Sequence, residues 1–171
     1  MEKNVFDDSL MAQMIEEEAW KNLSGSYPWS EAQLEQYKDK LDWEEVSGNS
    51  NVSWNVSILS NFRGKINWHQ LSRTAESHLL TPSVVARFAS NWDWTELSDN
   101  SDLPMETIDA MADHIDWKTL INRRYRDDKF GSAFLEKYQK YIPASALRDS
   151  YLWTNIVEEK EQEIKAKLCL A

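Results

Sequence analysis

The sequence predicts an all-α protein whose tandem helical hairpins stack as a short α-solenoid. Three observations predict this fold: few turn-forming residues, regularly spaced tryptophans, and a helical apolar pattern that recurs in step with them. Four glycines and four prolines in 171 residues are few for a β-sandwich or a nucleotide-binding α/β enzyme, since both need many special turn conformations. A hydrophobic fraction of 42% is enough for the core of one domain.

Four of the nine tryptophans follow an Asp or an Asn, and their spacing is regular. Successive copies stand 25, 26 and 23 residues apart. Internal periods of this size are typical of stacked repeats. The four dipeptides are Asp42-Trp43, Asn67-Trp68, Asp93-Trp94 and Asp116-Trp117.

The first helix of each unit is predicted from apolar residues spaced i, i+3 and i+7, which share one helical face. These sets are Leu34/Tyr37/Leu41, Leu59/Phe62/Ile66, Val85/Phe88/Trp92 and Ile108/Met111/Ile115. A further large apolar residue precedes each set by five positions, as in a hydrophobic staple: Trp29, Trp54, Leu80 and Leu103. Ser30 and Thr81-Pro82 have the residue types of helix starts.

The second helix of each unit is predicted from capping boxes that begin at the Asp or Asn. The boxes pair Asp42 with Glu45, Asn67 with Gln70, and Asp93 with Glu96. Each tryptophan then lies in the first turn of a short second helix, where we expect it to fill the space between repeats.

Two weaker copies flank these four units. Phe6, Met11, Met14, Trp20 and Leu23 fit the register at the front, and Phe130, Leu135, Tyr138, Ile142 and Leu147 fit it at the back. We therefore expect one helical-repeat domain over residues 1–171. Its predicted units are 6–27, 28–52, 53–79, 80–102, 103–129 and 130–150, followed by an amphipathic capping helix, 153–170.

The repeat resembles a known family. The segment from Phe62 to Arg73, FRGKINWHQLSR, is similar to the tandem Asp-Trp helix-turn-helix repeats of phage and large DNA-virus proteins, written aromatic-x-x-Lys-apolar-Asp-Trp-x-x-apolar-Ser. The resemblance covers about residues 28–125. It implies a helical repeat architecture and a viral origin, and it implies no catalytic residues.

Composition limits the compartment and the partners. The sequence shows neither a secretory signal nor a span-length apolar run, and the single cysteine fits a reducing compartment, so we expect a cytoplasmic protein without membrane contact. Residues 1–50 hold twelve acidic and four basic side chains. An acidic chain is repelled by phosphate, so we expect no direct nucleic-acid binding; the acidic first third could face a basic partner.

Catalytic motifs are absent from the sequence. The histidines His69, His78 and His114 belong to three different units, and no metal-binding, phosphate-binding or nucleophile motif appears. We therefore expect no enzyme activity and no cofactor or metal.

Two charged clusters are candidates for partner binding. Glu16, Glu17 and Glu18 could meet a basic surface, or could be a solvated helix face. Arg123, Arg124, Tyr125 and Arg126 form the densest basic cluster, in a connection longer than its equivalents. Arginine and tyrosine are enriched at interface hot spots, although Asp127-Asp128 could instead neutralise this cluster at the end of a helix.

These observations predict a non-enzymatic protein-binding repeat protein. With the family resemblance, the expected role is a phage-encoded inhibitor of a bacterial defence complex, of the anti-CRISPR type, which acts by steric occlusion of a basic nucleic-acid-handling effector. The alternative is a self-assembling structural or scaffold protein, because stacked repeats can also associate with copies of themselves.

Overall fold

The computed structural model describes residues 8–123 and 130–170, and the fold there is all-helical, with tandem hairpins as predicted. Each hairpin has a first helix of about two turns and a short second helix of four to seven residues, which in the four central hairpins begins at the tryptophan of the Asp-Trp or Asn-Trp pair. The helices of the described residues are α1 Asp8–Ser26, α2 Glu31–Tyr37, α3 Trp43–Ser47, α4 Val56–Asn61, α5 Trp68–Thr74, α6 Pro82–Arg87, α7 Trp94–Asp99, α8 Met105–Ala110, α9 Trp117–Leu120, α10 Ser132–Tyr138, α11 Ala144–Leu147 and α12 Tyr151–Cys169.

The chain divides into two compact units, Met1–Leu79 and Leu80–Ala171. The division falls at the predicted boundary between the third and fourth repeats. In the first unit α1 packs on α3 and α3 packs on α5. In the second unit α7 packs on α9, α6 packs on α8, and α10 packs on α12. Second helices therefore stack on second helices, and first helices on first helices.

The predicted apolar positions form the core. The residue that begins each of the four sets is 0% exposed: Leu34, Leu59, Val85 and Ile108. The four staple residues, from Trp29 to Leu103, are also buried. The apolar residue three after each tryptophan is buried as well. Among the predicted core positions of the four central units, Tyr37 is half-buried, where its ring contacts Trp20.

The caps of the second helices make one of the two hydrogen bonds of the predicted capping boxes but not the other. Asp42 and Asn67 accept hydrogen bonds from backbone N–H groups of their own helix, as predicted. Their own backbone N–H groups, however, do not bond to the expected Glu45 or Gln70 side chains. Each donates to a serine of the preceding repeat: Asp42 N to Ser24 Oγ at 3.0 Å and Asn67 N to Ser47 Oγ at 2.8 Å.

This serine links consecutive repeats in both units. Asp116 N donates to Ser98 Oγ at 2.9 Å, and Ser24, Ser47 and Ser98 are each 0% exposed. The hydroxyl of Ser47 also donates to the carbonyl of Trp43 four residues earlier, at 2.5 Å. Because the hydroxyl both donates and accepts, a small buried side chain satisfies a backbone N–H at the joint between hairpins.

A second inter-repeat bond comes from the residue six positions after Trp43, Trp68 and Trp117. Asn49 Nδ2 donates to the carbonyl of Ser24 at 2.9 Å, and Thr74 Oγ1 donates to that of Ser47 at 3.3 Å. Arg123 holds the same position after Trp117. The residue type differs among these three positions, whereas the acceptor in each of the three is the carbonyl of the linking serine.

The tryptophans of the Asp-Trp pairs close the corner between the two helices of each hairpin. Every indole N–H of these pairs donates to the carbonyl five residues earlier, which lies just after the end of the first helix. These bonds join Trp43 to Lys38, Trp68 to Arg63, Trp94 to Ala89, and Trp117 to Ala112, at 2.8 to 3.0 Å.

The indole rings also contact the next repeat. The residue two before the N-cap of a second helix lies over the tryptophan of the preceding repeat: His114, before Asp116, over Trp94 at 4.8 Å, and Tyr141, before Pro143, on Trp117 at 5.3 Å between ring centroids. Lys40 lies over Trp20 in the same way, at 5.2 Å, which is a cation–π contact. Trp43, whose ring lies 5.0 Å from that of Phe62, and Trp94 and Trp117 therefore fill space between consecutive repeats, as predicted.

The two end segments differ from the prediction. The first copy was expected to be a hairpin, but α1 runs without a break from Asp8 to Ser26. Ala19 stands where the four central repeats have a capping Asp or Asn, so no capping side chain starts a second helix there. Consequently Met11, Met14 and Leu23 are 47%, 52% and 43% exposed rather than buried; Phe6 lies outside the described residues.

The last helix does not close the end of the second unit as predicted. Leu152 is 1% exposed, and Trp153 and Ile156 are half-buried, so the first two turns of α12 pack on the repeats. From Val157 onward, every described residue of the helix is exposed. The amphipathic pattern is present, but its apolar face meets solvent after the second turn.

A candidate docking surface on the first helix

The first helix carries an apolar face that no other described part of its unit covers. Leu10, Met11, Met14 and Ile15 are between 46% and 65% exposed. Their spacing of three and four residues puts them on one side of α1. Ser24 is the one residue of α1 that is buried, so the helix is held to the hairpins by its last two turns.

A groove runs beside this face, between α1 and the corner that joins α2 to α3. Its volume is about 560 Å³. Trp20 and Leu41 form its apolar part, and its charged lining residues are Glu16, Glu17, Lys21, Asp39, Lys40 and Asp42, beside Gln13.

The three glutamates predicted as a binding cluster lie on this helix, and all are exposed. Glu16 and Glu17 line the groove. Glu16 accepts a hydrogen bond from Trp20 Nε1 at 3.3 Å and lies 3.7 Å from Lys40 Nζ. Glu18 follows Met14 by four residues and therefore continues the apolar face by one turn. Acidic groups thus border the apolar face on its groove side and at its end.

The basic cluster has a different place in the structure. Arg123 is 8% exposed, and its Nε donates to the carbonyl of Ser98 at 2.7 Å. It occupies the position that Asn49 and Thr74 hold in the first unit, and it makes the same inter-repeat bond. Its guanidinium is therefore part of the interior of the second unit. The other three members of the cluster, Arg124, Tyr125 and Arg126, lie outside the described residues.

The serine link and the position six after the tryptophan were not identified from the sequence. The serine is visible in the motif, as the last residue of Asn67-Trp68-His69-Gln70-Leu71-Ser72. The other position holds Asn, Thr or Arg, so residue type alone does not reveal it. The signal that could have found it is the constant spacing of six from the tryptophan.

Within residues 8–123 and 130–170, no group of three or more His, Cys, Asp or Glu side chains is arranged to hold a metal ion. No helix of the same ranges combines the length and the apolar character needed to cross a bilayer. The groove beside α1 is open to solvent along its length, in contrast to the enclosed, largely apolar pockets in which small molecules usually bind.

Comparison of the chain with family models, with curated proteins and with solved structures gave no match.

Proposed function

We propose that this chain is a non-enzymatic repeat protein that binds a basic protein surface through α1. The observation that carries the proposal is the free length of α1, with four exposed apolar residues bordered by acidic ones. Apolar contact area supplies most of the affinity of protein interfaces, and charge complementarity selects the partner and speeds association. Methionine is frequent at such surfaces because its flexible side chain adapts to different partners.

The repeats support this proposal because their recurring polar and aromatic side chains already make bonds within the units. The Asp-Trp tryptophans, the linking serines and Arg123 are all engaged in bonds within their units. Side chains that hold the repeats together are poor candidates for recognition, because a partner would have to replace these bonds. The exposed apolar side chains of α1 carry no such role, and the acidic balance of residues 1–50 points to a positively charged partner.

In its specific form, the proposal is that the protein is a phage-encoded inhibitor of the anti-CRISPR type. It would act by steric occlusion: α1 would dock on the basic channel through which a bacterial defence complex handles nucleic acid. Such a channel is lined with Lys and Arg, which complement Glu16, Glu17 and Glu18. The support for this form is the resemblance of the repeat to phage proteins, together with the acidity of α1.

Affinity capture from a bacterial host that carries several defence systems tests the proposal. The expected result is one stoichiometric complex with a basic, nucleic-acid-handling subunit. Glu18→Lys should weaken its binding more at low salt than at high salt, since screening reduces the contribution of exposed charges. Glu136→Lys on α10 is the control, because it makes the same charge change at an exposed site remote in sequence. Equal effects of the two variants would contradict a docking role for α1.

A further inference from the structure

The exposed half of α12 has an unusual order of charges. Glu161 and Glu163 precede Ile164 by three residues and one residue, and Lys165 and Lys167 follow it by one and three. The sequence EQEIKAK is therefore antisymmetric in charge about Ile164. In the structure all five residues are exposed, and Glu163 bonds only along its own helix, to Lys160 at 2.8 Å and Lys167 at 2.6 Å.

The same half of the helix has an apolar stripe. Val157, Ile164 and Leu168 are 40%, 47% and 69% exposed. At about 100° per residue, positions seven and eleven after Val157 return to its side of the helix. Ile164 therefore lies within the apolar stripe and at the centre of the charge pattern.

We propose that a second copy of this chain covers the stripe, through antiparallel pairing of the two α12 helices about a two-fold axis at Ile164. In this arrangement each residue stands level with the residue equally far from Ile164 on the other side. Glu161 and Glu163 of one copy are then level with Lys167 and Lys165 of the other. A parallel pair in register would instead set glutamate against glutamate and lysine against lysine, so the charges select the antiparallel pair.

The apolar residues fit the same register. The two Ile164 side chains meet at the axis. Leu168 of one copy falls within one turn of Val157 of the other, on the same side of the helix pair, and the axis makes this contact twice. The packed first two turns of α12 from the two copies lie at opposite ends of the helix pair.

The size of this contact sets the strength of the dimer. The exposed part, from Val157 to Leu170, is about four turns long. A single helix pair of this length buries less than the roughly 1,200 Å² of a standard interface. The dimer is therefore a reversible one, with a dissociation constant in the micromolar range or weaker. An isologous contact also closes at two copies, so it makes no filament. It uses a helix different from the docking surface on α1.

Sedimentation velocity over a range of micromolar to submillimolar concentrations is the first test. The wild type should show a reversible monomer–dimer equilibrium, and Ile164→Glu should be monomeric throughout. Glu161→Lys/Glu163→Lys should weaken the dimer at least tenfold. Adding Lys165→Glu/Lys167→Glu to that variant should restore it, because the antisymmetry is then reversed but kept. A wild type that stays monomeric, assembly beyond the dimer, or failure of the fourfold exchange to restore association would overturn the proposal.

Cross-linking tests the register directly. Ile164→Cys in a Cys169→Ser background places the two thiols at the axis, and it should form an intermolecular disulfide under mild oxidation. Gln162→Cys in the same background is the matched control, because Gln162 is also exposed but lies on the far side of the helix. Equal cross-linking of the two variants would show random collision and would rule out the register.

Discussion

Replacement of the linking serine by alanine tests the account of how the repeats are joined. Ser47→Ala removes one oxygen from a site that is 0% exposed, and the backbone N–H of Asn67, which donates to it at 2.8 Å, loses its acceptor. Leaving a buried donor unsatisfied costs about 1–3 kcal/mol. The bond from Ser47 to the Trp43 carbonyl is lost as well, but it adds little, because a hydroxyl bonded back to the preceding turn stabilises a helix only weakly. We therefore expect a loss of about 2 kcal/mol.

The free energy of unfolding can be measured by urea denaturation, followed by tryptophan fluorescence. Ser60→Ala is the matched control, since the Ser60 hydroxyl donates to the carbonyl four residues earlier, as in Ser47, but is exposed and accepts no bond from the next repeat. We expect the control to change stability by less than about 0.5 kcal/mol. If Ser47→Ala were no more destabilising than Ser60→Ala, the serine would not be a link between repeats.

Two further predictions concern the second unit. Arg123→Ala should destabilise it by about 1–3 kcal/mol in the same assay, because the Ser98 carbonyl loses its donor; Arg123→Asn should recover part of the loss, and equal stability of the two variants would contradict the shared role. Asp109 accepts from Tyr138 Oη at 2.5 Å and Lys137 Nζ at 3.0 Å, and these two bonds hold the pKa of its carboxyl below the usual value. The carboxylate therefore stabilises the fold above the ordinary pKa of aspartate, and this contribution is lost as the pH falls through the lowered value. Asp109→Asn should be less stable than the wild type at pH 7, and the difference should shrink in acid; a difference independent of pH would contradict this reasoning.

The repeat architecture could be predicted because its determinants are local and recur. Apolar residues at i, i+3 and i+7 need only the geometry of one helix, and an Asp or Asn before a tryptophan caps the helix that follows it. The bonds between repeats are different in kind. Asn49 and Arg123 do the same work in different units, yet their side chains differ in charge and size. Their equivalence appears only when their acceptors are known, which are the carbonyls of the linking serines Ser24 and Ser98.

The ends of the chain were predicted less well, for a physical reason that two residues illustrate. Met11 and Met14 have the correct helical spacing for a core face, but spacing alone does not provide a second helix to pack against. Ala19 is a strong helix former without capping ability, so the helix continues and the corner is never made. The apolar pattern was identified correctly, but no residue near Ala19 caps a new helix.

The burial of Arg123 also changes the interpretation of the basic cluster. From the sequence, Arg123 was one member of a run of positive charge. In the structure its position six after Trp117 makes it an inter-repeat donor, so its charge is not offered to a partner as the run suggested. The prediction for Arg124, Tyr125 and Arg126 stays a prediction, since these residues lie outside the described ranges.

Variants in the repeats and variants in the exposed helices should have different effects on stability and on binding. A change at a linking serine or at Arg123 acts on bonds inside a unit, so it should lower stability and affect binding only through the folded fraction. A change at Glu18 or Ile164 alters no bond that the hairpins need, so it should leave the unfolding free energy nearly unchanged while it weakens partner binding or self-association. Binding and stability would move together if recognition used the faces of the repeats, because the same side chains would then serve both. Measured on one set of variants, the two quantities therefore separate recognition by the exposed helices from recognition by the repeat surface.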